Sequence, residues 1–197
     1  MKVQIKFQKI ICMATVIIAA IAFAISLGLL TNVYSIQEWA GTIRFGSTED
    51  NLFKTMQPFN DQLVLTYIAI IVMACFLFIT NTHKRRNYYI SNYIIIIVLV
   101  VFAVATSALN IYKILQYRAE FLSIDFVKLQ EAIDRAAEKY NIYDEYTDST
   151  LWLDMNIVAS GLVALVSLVL LANLMWKKRL MKGEKYLLSA QNINEAK

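Results

Sequence analysis

Apolar positions in this chain gather into four long runs that carry no formal charge, residues 10–30, 62–82, 87–112 and 155–176, separated by polar stretches. Each run reaches the roughly 20 residues that a helix needs to cross a bilayer core. The pattern predicts spanning helices at 10–30, 62–81, 89–112 and 155–176. Between them lie an outer segment at 31–61, a short hairpin at 82–88 and a second outer segment at 113–154, with tails at 1–9 and 177–197. Ala22-Phe23-Ala24 would suit signal cleavage, but the first run continues to Leu30, longer than a usual signal h-region, and reads as a span.

The two outer segments have a different pattern. In the second, Leu122, Phe126, Leu129, Ile133, Ala136 and Tyr140 recur at alternating spacings of four and three, while Glu131, Asp134, Glu138 and Lys139 fall off that stripe. This predicts an amphipathic helix over 122–140, with Ser123 or Asp125 capping its start and Asn141 ending it. A lone helix of this length is marginal in water. Its stripe is therefore expected to cover the first outer segment as a small cap, or to dock on another protein. In the first segment, Trp39 and its aromatic and aliphatic neighbours precede Gly46-Ser47-Thr48. A short helix follows, with Ser47 and Asp50 in a capping arrangement and Pro58 as its stop.

Charge orients the pattern. The hairpin His83-Lys84-Arg85-Arg86 is basic without an acid, and Lys177-Lys178-Arg179 follows the fourth run. With both tails and the hairpin on one side, that side holds twelve lysines and arginines against two acids, and the other side holds seven against thirteen. The positive-inside rule places both termini in the cytoplasm. The formal net charge of +4 is thus an asymmetry across a membrane rather than a nucleic-acid footprint. Lys84, Arg85, Arg86, Lys177, Lys178 and Arg179 are expected to contact anionic lipid headgroups. With 58% hydrophobic and 17% charged residues and a mean hydropathy of +0.51, the whole reads as an all-α four-transmembrane-helix bundle with a small helical extracytoplasmic cap.

Candidate chemistry is sparse. No ionisable residue lies near the centre of a run, which argues against proton-coupled carriers, pumps and voltage sensors. Cys12 and Cys75 sit inside apolar runs without a partner at redox or metal spacing, and His83 is the single histidine. No catalytic, cofactor or metal site is expected. Small and neutral polar residues collect instead in the outer halves of the runs. Ala20, Ala24 and Gly28 form a ladder at spacing four, Ala103 and Ser107 repeat it, and Asn156, Ser160, Ala164 and Ser167 share a face. Such faces let helices approach closely. They predict a tight seam, or a shallow cavity open to the outside with Asn110 and Asn156 at its mouth.

The function expected is that of a non-catalytic membrane subunit or scaffold that binds another membrane protein, or its own copies, through the cap (Trp39, Leu122, Phe126, Leu129, Ile133, Tyr140) and the helix seams. The alternative is an oligomeric transporter, channel or lipid-handling protein with an outer-leaflet cavity. The low proline content and the lack of extracellular disulfides fit a bacterial plasma membrane.

Overall fold

With no water to bond the backbone, a segment inside a bilayer satisfies its N–H and C=O groups by coiling. The four apolar runs do so in a computed structural model, which describes residues 2–34, 47–80, 90–140 and 148–195. Its helices are α1 (Lys2–Leu27), α2 (Ser47–Thr80), α3 (Ile90–Leu122), α4 (Phe126–Tyr140) and α5 (Leu151–Glu195). Four of them, α1, α2, α3 and α5, are long and apolar enough to cross a membrane. The chain is an all-α, membrane-embedded four-helix bundle.

These helices run up, down, up and down. Each packs beside the next, and α5 closes the ring against α1. Hence α1 and α3 face each other on one diagonal, and α2 and α5 on the other. Both chain ends lie at one end of the bundle, called here the terminal end, and α4 lies at the other, the cap end.

Burial follows one rule in every spanning helix. On α2 the buried positions are Leu52, Met56, Asn60, Leu63, Tyr67, Ile70, Ala74 and Leu77, and on α5 they include Asn156, Ser160, Val163, Ser167, Leu170, Leu174 and Lys177. Steps of three and four that average near 3.5 are the signature of left-handed, shallow-angle packing. Large side chains such as Ile17, Leu65, Val101 and Leu165 point outward, where lipid is their solvent. Lipid tails are as apolar as leucine, so the inward stripe holds through close packing and hydrogen bonds more than through hydrophobic transfer.

The helices outrun the sequence-based boundaries. Pro58 was expected to end a short helix, yet it lies inside α2. Its missing N–H deprives the Lys54 carbonyl of a donor, a defect that costs about 3 kcal/mol in a helix interior. Fully buried Met56 and Leu63 on either side hold the helix together. Nearby, the Tyr117 hydroxyl donates to the Thr55 carbonyl at 3.1 Å. Likewise α1 begins before residue 10, α3 continues past 112 to Leu122, and α5 passes Trp176 without a break.

At the cap end, Asp125 starts α4 by accepting the Lys128 backbone N–H at 3.2 Å, and its carboxylate pairs with the Lys128 ammonium at 2.9 Å. These contacts hold the Asp125 carboxyl below its usual range and the Lys128 ammonium above its own. The Ser123 hydroxyl instead bonds back to Glu120 and closes α3.

Candidate functional site

The bundle interior is crossed at two levels, on opposite diagonals. In the cap half, the hydroxyls of Tyr67 on α2 and Ser160 on α5 share a hydrogen bond of 2.8 Å, and Asn110 of α3 flanks the tyrosine. Asn156 binds α5 to α1 through its Nδ2, which donates to the Ile25 carbonyl at 3.3 Å and to its own helix at Trp152. These groups are at most 8% exposed. Even so, Ser107 Oγ, Asn110 Nδ2 and Asn156 Oδ1 have no hydrogen-bond partner.

In the terminal half one amide ties all four helices together. Asn92 Oδ1 accepts from Gln8 Nε2 of α1 at 3.2 Å and from Lys177 Nζ of α5 at 2.9 Å. Its Nδ2 donates to the Thr80 hydroxyl of α2 at 3.2 Å. One turn towards the N-terminus, Gln4 Nε2 donates to Gln8 Oε1 and to Asn173 Oδ1. The Lys177 ammonium lies 4.3 Å from the centre of the Tyr93 ring, within cation–π distance. Gln8 and Lys177 are fully buried, and Gln4, Asn92 and Asn173 nearly so.

Ser107, Asn110, Asn156 and Ser160, predicted to line a seam, do face inward together. Ala20 and Ala24 do not, being exposed on the outer face of α1. The inward small residues of that helix are Ala19, Ala22 and Ser26, at the 3.5-residue repeat the bundle uses. A strict four-residue ladder suits right-handed crossings instead. Gly28 does serve close approach, because an added Cβ there would overlap the Trp152 ring.

Lys177, expected in the headgroup region, is turned into the bundle, whereas Lys178 and Arg179 remain exposed. On the cap helix, Leu129 and Ile133 are buried within the chain, Phe126 packs against Phe121 with ring centres 5.4 Å apart, and Leu122 stays exposed. A partner docking on that stripe would have to displace these internal contacts. Trp39, His83, Lys84, Arg85, Arg86 and the Tyr140 side chain lie outside the described residues, as does the predicted stop at Asn141. Sequence reasoning missed Gln4, Gln8, Asn92 and Asn173. Each falls on the continuation of its helix's inward stripe, and that is the signal that would have found them.

Beside the cap-half crosspiece, a groove of about 250 Å³ runs between α2 and α3, lined by Phe59, Gln62, Thr66, Thr106, Leu109, Asn110 and Lys113. A second groove of about 280 Å³ between α1 and α5 is almost wholly apolar, bounded by residues such as Ile21, Ile25, Val158 and Leu162. Asn156 and Ser160 line neither of these grooves, so of the two residues expected at a cavity mouth, Asn110 and Asn156, Asn110 alone borders one. Among the described residues no group of three His, Cys, Asp or Glu could hold a metal ion. No family model, curated protein or solved structure matches this chain.

Proposed function

We propose that this chain is a non-catalytic four-span membrane subunit or scaffold, with both termini in the cytoplasm of a bacterial cell. The observation that carries the reading is the closed axis. Tyr67 with Ser160, and Gln8 with Asn92 and Lys177, bridge the two diagonals through buried side chains and make the bundle a solid body. The charge bias supports the orientation, since Lys178 and Arg179 project at the terminal end while Asp125, Glu131 and Asp134 lie at the cap end. For a partner helix, the outward Ala20 and Ala24 offer the close approach that the bundle itself does not use.

The test is a mild-detergent pull-down of the tagged full chain with mass spectrometry. A stoichiometric membrane-protein partner that is lost when Ala20 and Ala24 are both replaced by leucine is the expected result. A chain recovered alone, or a partner indifferent to that double substitution, would remove the α1 face from the reading. The second reading, an oligomeric transporter, channel or lipid-handling protein, is favoured by the polar groove between α2 and α3.

A further inference from the structure

Polar residues on the outside of a membrane bundle are costly unless something satisfies them, and the groove between α2 and α3 concentrates them. Its lining includes Gln62, Thr66, Thr106, Asn110 and Lys113, with Phe59 at its cap-end side. The two threonine hydroxyls already donate to their own helices, Thr66 to the Gln62 carbonyl at 2.8 Å and Thr106 to the Phe102 carbonyl at 2.7 Å. Their oxygens are left as acceptors only. The donors that remain are the Lys113 ammonium, the Gln62 side-chain amide and, in the wall of the groove, Asn110, whose buried Nδ2 has no acceptor. A buried amide N–H without an acceptor is a standing cost that an incoming oxygen would relieve. Among the described residues no carboxylate lines the groove, so its charge is that of Lys113.

We propose that this groove seats the phosphate of a phospholipid from the leaflet at the cap end, with Asn110 Nδ2 and the Lys113 ammonium as its donors. An anionic oxygen satisfies both at once, and charge-assisted bonds of this kind are the strong ones. At about 250 Å³ the groove is smaller than sites that enclose a whole drug-sized ligand, so the acyl chains lie outside it along the lipid-facing side of the bundle. The site does not depend on the subunit reading, because a scaffold and a lipid carrier could each hold such a lipid.

The experiment titrates the full chain in mild detergent with dioleoyl phosphatidylglycerol and with dioleoylglycerol, which lacks the phosphate, and counts bound lipid by native mass spectrometry. One phosphatidylglycerol per chain is expected, bound at least about tenfold more tightly than dioleoylglycerol. Lys113→Gln, at an exposed position that does not threaten folding, should weaken it about fivefold. Asn110→Leu should weaken it about tenfold. The pair Lys178→Gln and Arg179→Gln at the opposite end should change nothing. Equal affinity for the two lipids, or indifference to Lys113→Gln, would overturn the proposal. Displacement by soluble glycerol 3-phosphate at matching concentration would replace the phospholipid by a free phosphate ester as the occupant.

Discussion

The two halves of the bundle solve the same problem with different chemistry. In the terminal half, an ammonium and four amides interlock, and every spanning helix contributes a group to the Asn92 hub. In the cap half, a single hydroxyl pair crosses the axis, small residues fill the seam, and four buried polar atoms, Asn60 Oδ1 among them, are left over. The terminal half also leaves Gln4 Oε1 and Asn173 Nδ2 unmatched, the unused arm of an amide pair joined once. The contrast teaches where this protein is specified and where it can still bind something. A buried ammonium admits few alternative arrangements, so the terminal half fixes helix register. The hydroxyls and leftover donors of the cap half tolerate exchange and adjoin the polar groove between α2 and α3.

The largest effect expected in breaking this contrast is at the hub. Asn92→Leu removes an acceptor from a buried ammonium and should lower stability by about 3 kcal/mol, read as a drop in thermal midpoint in detergent. Adding Lys177→Met should recover much of the loss, because replacing a buried charge with an apolar side chain is often neutral or better. If the double variant is no more stable than Asn92→Leu alone, the ammonium is not what the hub serves. Gly28→Val comes next, at about 2 kcal/mol, because its branched side chain would have to displace the Trp152 ring. Wild-type stability in that variant would show that the α1–α5 contact tolerates separation at the cap end.

A smaller effect is expected where the cap half is crossed. Tyr67→Phe keeps the ring and loses one neutral hydrogen bond, which inside membranes averages about 0.6 kcal/mol. A loss as large as at Asn92 would erase the distinction between the halves. The smallest effect concerns the start of α4. The folded Asp125 carboxyl lies below its ordinary value, so its contribution is complete above the usual carboxylate range and is lost as pH falls through the lowered folded value. Hydrogen-exchange protection over 126–140, taken relative to the intrinsic rate at each pH, should therefore fall below about pH 4 in the parent, and already at neutral pH in Asp125→Ala. Protection that is flat with pH would remove the cap from Asp125.

The spans and their alternation were legible because twenty uncharged residues in a row have few other uses. The cap helix was legible too, since Leu129 and Ile133 repeat at helical spacing and are buried as that spacing requires. What stayed hidden was direction. A hydropathy run treats Lys177 as the point where the membrane stops, whereas the 3.5-residue stripe through Val163, Ser167, Leu170 and Leu174 carries straight on to it. The same applies to Gln4 and Gln8, which a basic flank of Lys2, Lys6 and Lys9 makes look solvated. Ala20 and Ala24 misled in the other sense, because small residues signal close packing without saying on which side. Helix ends were the least legible, because neither Pro58 nor Trp176 interrupts a helix whose buried neighbours continue.

The length of α5 has a mechanical consequence. Eighteen residues separate Lys177 from its last turn at Glu195, and at 1.5 Å per residue they form an arm of about 27 Å beyond the hub. The arm is continuous with the helix that Asn92 grips. A tilt of about 10° at the hub would swing its tip by roughly 5 Å, several times the displacement at the pivot. Any tilt of α5 at the hub would therefore reach the terminal end enlarged by the length of this arm.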